Sequence, residues 1–408
     1  MVLASLSSDI RQYLLITGNY WTFTLTDGAL RMLVVLHFHT LGYSPLEIAF
    51  LFIFYEFFGV VTNLIGGWLG ARIGLNRTMN IGLAMQVVAL GMLAVPSSWL
   101  SIPWVMMAQA ISGVAKDLNK MSAKSAIKLL VPPDAQGRLY HWVAVLTGSK
   151  NALKGVGFFL GGVLLTLFGF RASVVLMAAL LCSVLIISLV KLKGSLGRSQ
   201  FKPKFTDVFS KSVAINVLSG ARLFLFGARD VWFVIAVPVF FGEVLLWDHW
   251  SVGSFMAMWV IGYGVIQSFA PRITGKHKGS VPSGKAALWW CLPLMVIPAI
   301  MAYFLGVTSN PELLMVAGLL IFGAFFAINS SLHSYLIVSY ARDEGASMDV
   351  GFYYMANAMG RLLGTVLSGW VYQDFGIAAC LYVSSLFLGI TLLLSIFLPQ
   401  REFAKSNI

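Results

Sequence analysis

One stretch dictates what this chain can become. Residues 112–128 read Ser-Gly-Val-Ala-Lys-Asp-Leu-Asn-Lys-Met-Ser-Ala-Lys-Ser-Ala-Ile-Lys, and they follow an apolar run from Ile102 to Ile111 that is too short to cross a bilayer alone. A spanning helix needs about 20 residues. A membrane helix built here therefore has to carry Lys116, and Lys120 with it, into the apolar layer. Lys116, Lys120, Lys124 and Lys128 recur at every fourth position. Each step rises about 6 Å and drifts about 40° around a helix, so the ammonium groups form a shallow spiral. Only Asp117 lies close enough in sequence to balance them. A central Lys costs about 3 kcal/mol on insertion scales, and the rest of the chain has to offset that.

The chain does read as a membrane protein. Of its 408 residues 58% are hydrophobic and only 11% charged, and its mean hydropathy is +0.83. A soluble domain carries about 25% charged residues. Cys182, Cys291 and Cys380 sit in apolar runs, as small core residues rather than disulfide partners. The six histidines form no HExxH and no zinc spacing is present. No metal, cofactor or nucleic-acid partner is expected. No nucleophile–base constellation points to an enzyme. The amino terminus lacks a basic segment with a cleavage site, so the first apolar segment should remain as a helix.

The pattern predicts an all-α membrane protein of twelve transmembrane helices, at 13–38, 45–68, 78–97, 101–127, 139–166, 171–192, 212–241, 248–270, 285–305, 311–339, 347–371 and 376–398. The connections 39–44, 98–100, 242–247, 306–310 and 372–375 hold no Lys or Arg, whereas the alternate ones do; Arg171 is the exception. By the positive-inside rule both termini and the basic connection 193–211 face the cytoplasm. That connection divides the chain into six-helix bundles at 1–192 and 212–408. The halves are pseudo-symmetric. At an offset of 207, Lys154 aligns with Arg361, Gly157 with Gly364, Gly162 with Gly369 and Gly169 with Gly376. At an offset of 199, Gly28-Ala29 aligns with Gly227-Ala228. Repeated halves with a site at their interface are a transporter signature.

The net charge is +12, and the cations inside the membrane are the functional candidates. They are Arg31, Lys116, Lys120, Lys150, Lys154, Arg222, Arg229 and Arg361, with Lys124 at the edge; the embedded acids are Asp27, Glu56, Asp117 and Asp230. Charged groups at this depth have to face a bundle interior or a watery cavity. Asn19, Phe23, Asp27 and Arg31 follow one another along one face, where Asp27 and Arg31 are placed to pair. Lys150 and Lys154 lie one turn apart with no acid beside them in sequence, so either one of them is neutral, or an acid of another helix pairs with them, or the substrate is their counter-ion. Arg222 and Arg229 share a face, while Asp230 points about 100° from Arg229, so these neighbours are not expected to pair face to face. Arginine's planar fork suits phosphate-like oxyanions. Arg361 shares its face with Asn357. His333 belongs to a polar patch with Asn329 and Ser330, as a satisfied bundle histidine or a proton relay. The expected substrate contacts are Asn19, Lys116, Lys120, Lys150, Lys154, Arg222, Arg229, Asn357 and Arg361. Asp27, Arg31, Glu56, Asp117, Asp230 and His333 are the expected coupling or gating groups. The natural cargo of such a path is a small anion with several charges.

Gly67-Trp68-Leu69-Gly70-Ala71-Arg72-Ile73-Gly74 resembles the loop motif of the major facilitator superfamily, G-x-L-a-D-r-x-G, departing from it at Ala71, where the family usually has Asp. This resemblance implies the major facilitator fold and alternating access. Four longer strings, 19–39, 115–125, 148–159 and 222–233, are similar to the ArsJ-type organoarsenical efflux permeases. That similarity implies export of 1-arseno-3-phosphoglycerate across the bacterial inner membrane. It also implies a functional link to a glyceraldehyde-3-phosphate dehydrogenase that makes the compound from arsenate. It assigns no residue roles, so the candidate site rests on charge and depth. An organophosphate/phosphate exchanger and a proton-coupled anion antiporter are the alternatives within transport.

Overall fold

The computed structural model describes residues 8–43, 51–131, 135–192, 196–197, 204, 212–274, 282–343 and 345–399. The described residues outside the turns are helical. Helix α1 spans Ser8–Thr40, α2 Ile53–Ile73, α3 Leu75–Leu93 and α4 Ile102–Leu130. The run Gln136–Lys191 is interrupted at Gly169, giving α5 (136–168) and α6 (170–191). Helices α7 (Val213–Phe233), α8 (Ala236–Glu243), α9 (His249–Ile273), α10 (Gly284–Leu305) and α11 (Pro311–Tyr340) follow. The last run, Ala346–Ile396, breaks at Gly376 into α12 (346–375) and α13 (377–396). The expected cytoplasmic connection 193–211 lies outside the described residues except for Leu196, Gly197 and Lys204, and so do both termini.

Local chemistry explains the boundaries. Asp248 caps α9 by accepting from the Ser251 N–H at 2.6 Å, and Asn310 caps α11 through the Leu313 N–H at 3.0 Å. Gly169 (φ 72°) and Gly376 (φ 75°) adopt left-handed backbone where a Cβ would be strained. The Ser173 hydroxyl stitches the first break, donating to Gly169 O at 2.6 Å and Leu164 O at 2.9 Å. The single helix expected over 212–241 is instead two. Pro238 has no N–H for the Val234 carbonyl and its ring crowds that turn, so the helix breaks at 234–235. The Ala236 N–H freed there donates to the Ser368 hydroxyl at 3.1 Å.

Among the described residues, seven helical runs are long and apolar enough to cross a membrane, and two of them, Gln136–Lys191 and Ala346–Ile396, are each divided by a glycine break. Large apolar side chains stand exposed along them, such as Phe159, Leu167, Val190, Val366, Trp370 and Leu393. In water such a surface would drive aggregation; against lipid it is the ordinary exterior. The chain is an all-α, multi-pass membrane protein.

Two compact units emerge, neither continuous in sequence. Unit 1 holds residues 1–135, 149–210 and 341–355; unit 2 holds 136–148, 211–340 and 356–408. Within unit 1, α1 crosses α5 at glycines: a Cβ built on Gly28 would lie 3.3 Å from Gly157 Cα. Within unit 2, a Cβ on Gly364 would lie 3.1 Å from Gly227 Cα. These are the pairs that the sequence repeat matches, so the repeated glycines mark one helix crossing made twice. The core of unit 2 is aromatic, with Trp232 edge-on to Phe322 at 5.1 Å and Trp259 stacked on Tyr263 at 5.8 Å.

Candidate functional site

In unit 1 the charged groups of α1, α2 and α4 meet. Asp117 is buried on α4 between two lysines: Lys116 Nζ lies 3.7 Å from Oδ2, and Lys120 Nζ donates to Oδ1. Gly59 on α2 makes the seat for this carboxylate, since a Cβ there would sit 2.8 Å from Asp117 Oδ2. Lys116 also stands 3.7 Å above the ring of Tyr55, a cation–π contact that offsets part of its desolvation. The Tyr55 hydroxyl donates to both oxygens of the buried Asp27, at 2.8 and 2.9 Å. Asp27 and Arg31, placed by spacing to pair, do not do so. Arg31 turns to Glu56, 3.4 Å away, and lies over the Phe52 and Tyr55 rings.

Lys124 lies deeper in the fold than its sequence position suggests. It is only 3% exposed, donates to the Tyr354 hydroxyl and stands 4.6 Å above that ring, which Lys120 also approaches at 4.9 Å. Lys150 and Lys154 are half-buried on α5, the latter 5.7 Å above the Phe158 ring. Asn19 is placed elsewhere: its amide donates to Ser188 on α6 at 3.0 Å. Taken together, Arg31, Lys116, Lys120, Lys124, Lys150 and Lys154 outnumber Asp27, Glu56 and Asp117 two to one.

Unit 2 repeats the device of one buried acid between two cations. Asp230 is fully buried. Arg229 Nε donates to its Oδ1 at 2.6 Å and Arg361 Nε to its Oδ2 at 3.2 Å. The expectation that Arg229 and Asp230 do not pair is thereby corrected. Their Cβ atoms do diverge, but the long guanidinium arm bends back across the helix surface. Arg222 is 3% exposed. It donates to Asn357 Oδ1 at 2.8 Å and to the Ser330 carbonyl and hydroxyl at 3.2 and 3.1 Å, with Phe226 4.0 Å beneath it. Ser330 is also reached by Tyr263 at 3.0 Å and Gln267 at 3.3 Å. Among the described residues, both ring nitrogens of the fully buried His333 lack a hydrogen-bond partner.

The arrangement of each unit can do one kind of chemistry. It holds fixed positive charge in low-dielectric surroundings and so attracts an anion far more strongly than water-exposed lysines would. The aromatic partners Tyr55, Tyr263 and Phe52 escape a reading based on charge alone. Their only sequence signal is an aromatic residue in an apolar run.

The family model described as Major Facilitator Superfamily matches residues 14–348. No curated protein matches the chain. Three solved structures share its fold at low identity. The human organic anion transporter MFSD10 (TETRAN) is 16% identical with a TM-score of 0.75, covering 96% of this chain and 100% of its own. A variant of the E. coli fucose:proton symporter FucP is 11% identical with a TM-score of 0.74, covering 97% and 100%. A bacterial homologue of the iron transporter ferroportin is 14% identical with a TM-score of 0.74, covering 96% and 100%.

Proposed function

Because the chain belongs to the major facilitator superfamily, and is therefore a membrane transporter rather than an enzyme, we propose that it exports a small organic anion with several negative charges by alternating access. The observation that carries this reading is the two-to-one excess of Arg31, Lys116, Lys120, Lys124, Lys150 and Lys154 over Asp27, Glu56 and Asp117 in unit 1. Each embedded Lys or Arg costs several kcal/mol unless it meets an opposite charge. A polyanionic cargo adds opposite charge to that excess when it binds and gives it up on release. The proposed contacts are Lys116, Lys120, Lys150 and Lys154 in unit 1 and Arg222, Arg229 and Arg361 in unit 2. Asp117 and Asp230 hold their paired cations in place and offset part of their charge.

The resemblance of four strings to the ArsJ-type permeases makes 1-arseno-3-phosphoglycerate the cargo we favour, moved out across a bacterial inner membrane with both termini in the cytoplasm. The test is arsenate resistance and cellular arsenic in an arsenic-sensitive bacterium, with and without an arsenylating glyceraldehyde-3-phosphate dehydrogenase. Resistance that needs both proteins supports the organoarsenical. Resistance from this chain alone would mean an inorganic oxyanion is the cargo, and no protection from either combination would overturn the arsenical reading. The buried Asp27, which accepts the Tyr55 hydroxyl at both carboxylate oxygens, favours a second reading in which a proton moves opposite to the anion.

A further inference from the structure

A pocket of about 580 Å³ opens at one end of unit 1, where the end of α1, the turn just beyond α3 and the break between α5 and α6 come together. His37, Ser97, Phe168, Phe170 and Arg171 are among the residues that line it. The His37 ring stacks on Phe170 at 4.1 Å, which ties α1 to the start of α6 and fixes the imidazole at the pocket wall. Its Nε2 is buried and has no hydrogen-bond partner among the described residues. Arg171 is exposed. Among the described residues, no ion pair, hydrogen bond or ring contact holds its guanidinium.

This arginine has no structural reason to be there. Apart from it, the stretches 32–43, 91–104 and 155–190 that bring the pocket together contain no Asp, Glu, Lys or Arg. The register that matches Gly169 with Gly376 puts Ala378 at its place in unit 2. Both glycines make the same left-handed break, so the break forms equally well beside an alanine. Arg171 also runs against the charge pattern of the connections, which otherwise confine Lys and Arg to the opposite end of the helices. A cation that neither the break, nor an acid, nor the topology calls for is left for a ligand.

We infer that this pocket is an oxyanion site in which the Arg171 fork takes a single phosphate-type or carboxylate group, with His37 and Ser97 as its polar walls. It lies a full helix length from Arg72 and Arg77 along α3 and from Lys191 along α6. On the orientation proposed above that is the outer face, so the cargo meets it last, after leaving the deeper lysines. An exposed guanidinium is screened by water and holds an anion weakly, which suits a station that has to let go. The exit role rests on the export reading; the site itself rests on the pocket. An anionic lipid headgroup carries the same chemistry, and the test separates the two sources.

The test uses the full-length protein with Ser97→Cys and Cys182→Ser, since Cys291 and Cys380 are buried, in phosphatidylcholine nanodiscs. The labelling rate of the thiol at position 97 is the readout. An anionic thiosulfonate should react at least about threefold faster than a cationic one. Adding Arg171→Gln should remove that preference and Arg171→Lys should keep it. With a neutral maleimide, 3-phosphoglycerate at twice its dissociation constant should slow labelling about threefold, and should not do so in Arg171→Gln. If Arg171→Gln does not fold, Arg171→Ala, which copies unit 2, carries the same outcomes. Labelling that ignores 3-phosphoglycerate but slows when phosphatidylglycerol is added to the disc would support the oxyanion site and overturn the exit role. Labelling that ignores both, or that responds equally in Arg171→Gln, would overturn the site. Calorimetry on the whole protein keeps the two failures apart. Binding of 3-phosphoglycerate that leaves labelling unchanged overturns this pocket alone, whereas a protein that no phosphate- or carboxylate-bearing probe binds overturns the anion reading itself.

Discussion

Asp117 shows how one side chain holds a costly arrangement together. It lies 2% exposed between Lys116 and Lys120, so its removal leaves two like charges one turn apart on α4 with their shared counter-ion gone. Asp117→Asn should lower stability by about 3 kcal/mol, the usual penalty for breaking a buried pair, read as a lower thermal midpoint in detergent. Gly59→Ala attacks the same carboxylate from α2 by pushing on Oδ2 from 2.8 Å. It should cost about 1–2 kcal/mol, as overpacking does, and the two losses should not add, which a double-mutant cycle reads. Tyr354→Phe keeps the ring but removes an acceptor of Lys124. It should cost about 1–3 kcal/mol, because a buried ammonium loses a hydrogen bond, and the thermal midpoint again reports it. At this scale the cations and acids are legible in the sequence, because a charge inside an apolar run is conspicuous. Their partners are not. Arg31 chooses Glu56 over Asp27, and Arg229 chooses its own neighbour. Long side chains reach across helix faces, and spacing describes only where they start.

The helices obey a different logic, set by glycine and proline. Gly28 and Gly18 stand on the same helix, but a Cβ on Gly28 would meet the backbone of α5 at 2.7 Å, while one on Gly18 meets nothing within 4 Å. Gly28→Val should therefore separate α1 from α5 and remove the protein from the membrane. Gly18→Ala should leave the protein level unchanged or raise stability by about 1 kcal/mol, since alanine favours helix over glycine. Membrane abundance and thermal midpoint of the two variants check this directly. The repeat that marks these crossings is readable without coordinates, because a glycine needed for backbone contact or a left-handed turn recurs wherever the turn recurs. Gly169 and Gly376 are the clearest instance. The break after Phe233 is not readable in the same way. Pro238 sits in an apolar run that has the length of one membrane helix, and such helices tolerate proline when another group satisfies the freed backbone. Here that group is the Ser368 hydroxyl on α12, a partner more than a hundred positions away.

The whole molecule's charge sets how energy enters the cycle. An arseno-phospho-glycerate carries about three or four negative charges near neutral pH, by analogy with phosphate ionisation. Bound among the six cations and three acids named above in unit 1, a trianion leaves that group close to neutral. The loaded carrier then crosses with less net charge in motion than the empty one. On the proposed export reading the empty carrier is positive, and its return toward the cytoplasm is the step that an inside-negative potential would pull. Over a full cycle the gain is the same as moving the trianion outward, about 7 kcal/mol per 100 mV, and it requires no proton. This assignment has a kinetic signature. In inverted vesicles with matched pH, raising the membrane potential should increase the maximal rate of cargo uptake. It should leave the cargo concentration for half-maximal rate nearly constant, because the potential acts after release. A carrier that moved the cargo's charge unneutralised would show the opposite split, with the half-maximal concentration shifting. If uptake instead needs a pH gradient and ignores the potential, the cycle is proton antiport. Asp27, buried beneath Tyr55, then becomes the group to neutralise first, since Asp27→Asn should abolish the response to the gradient while sparing exchange of labelled for unlabelled cargo.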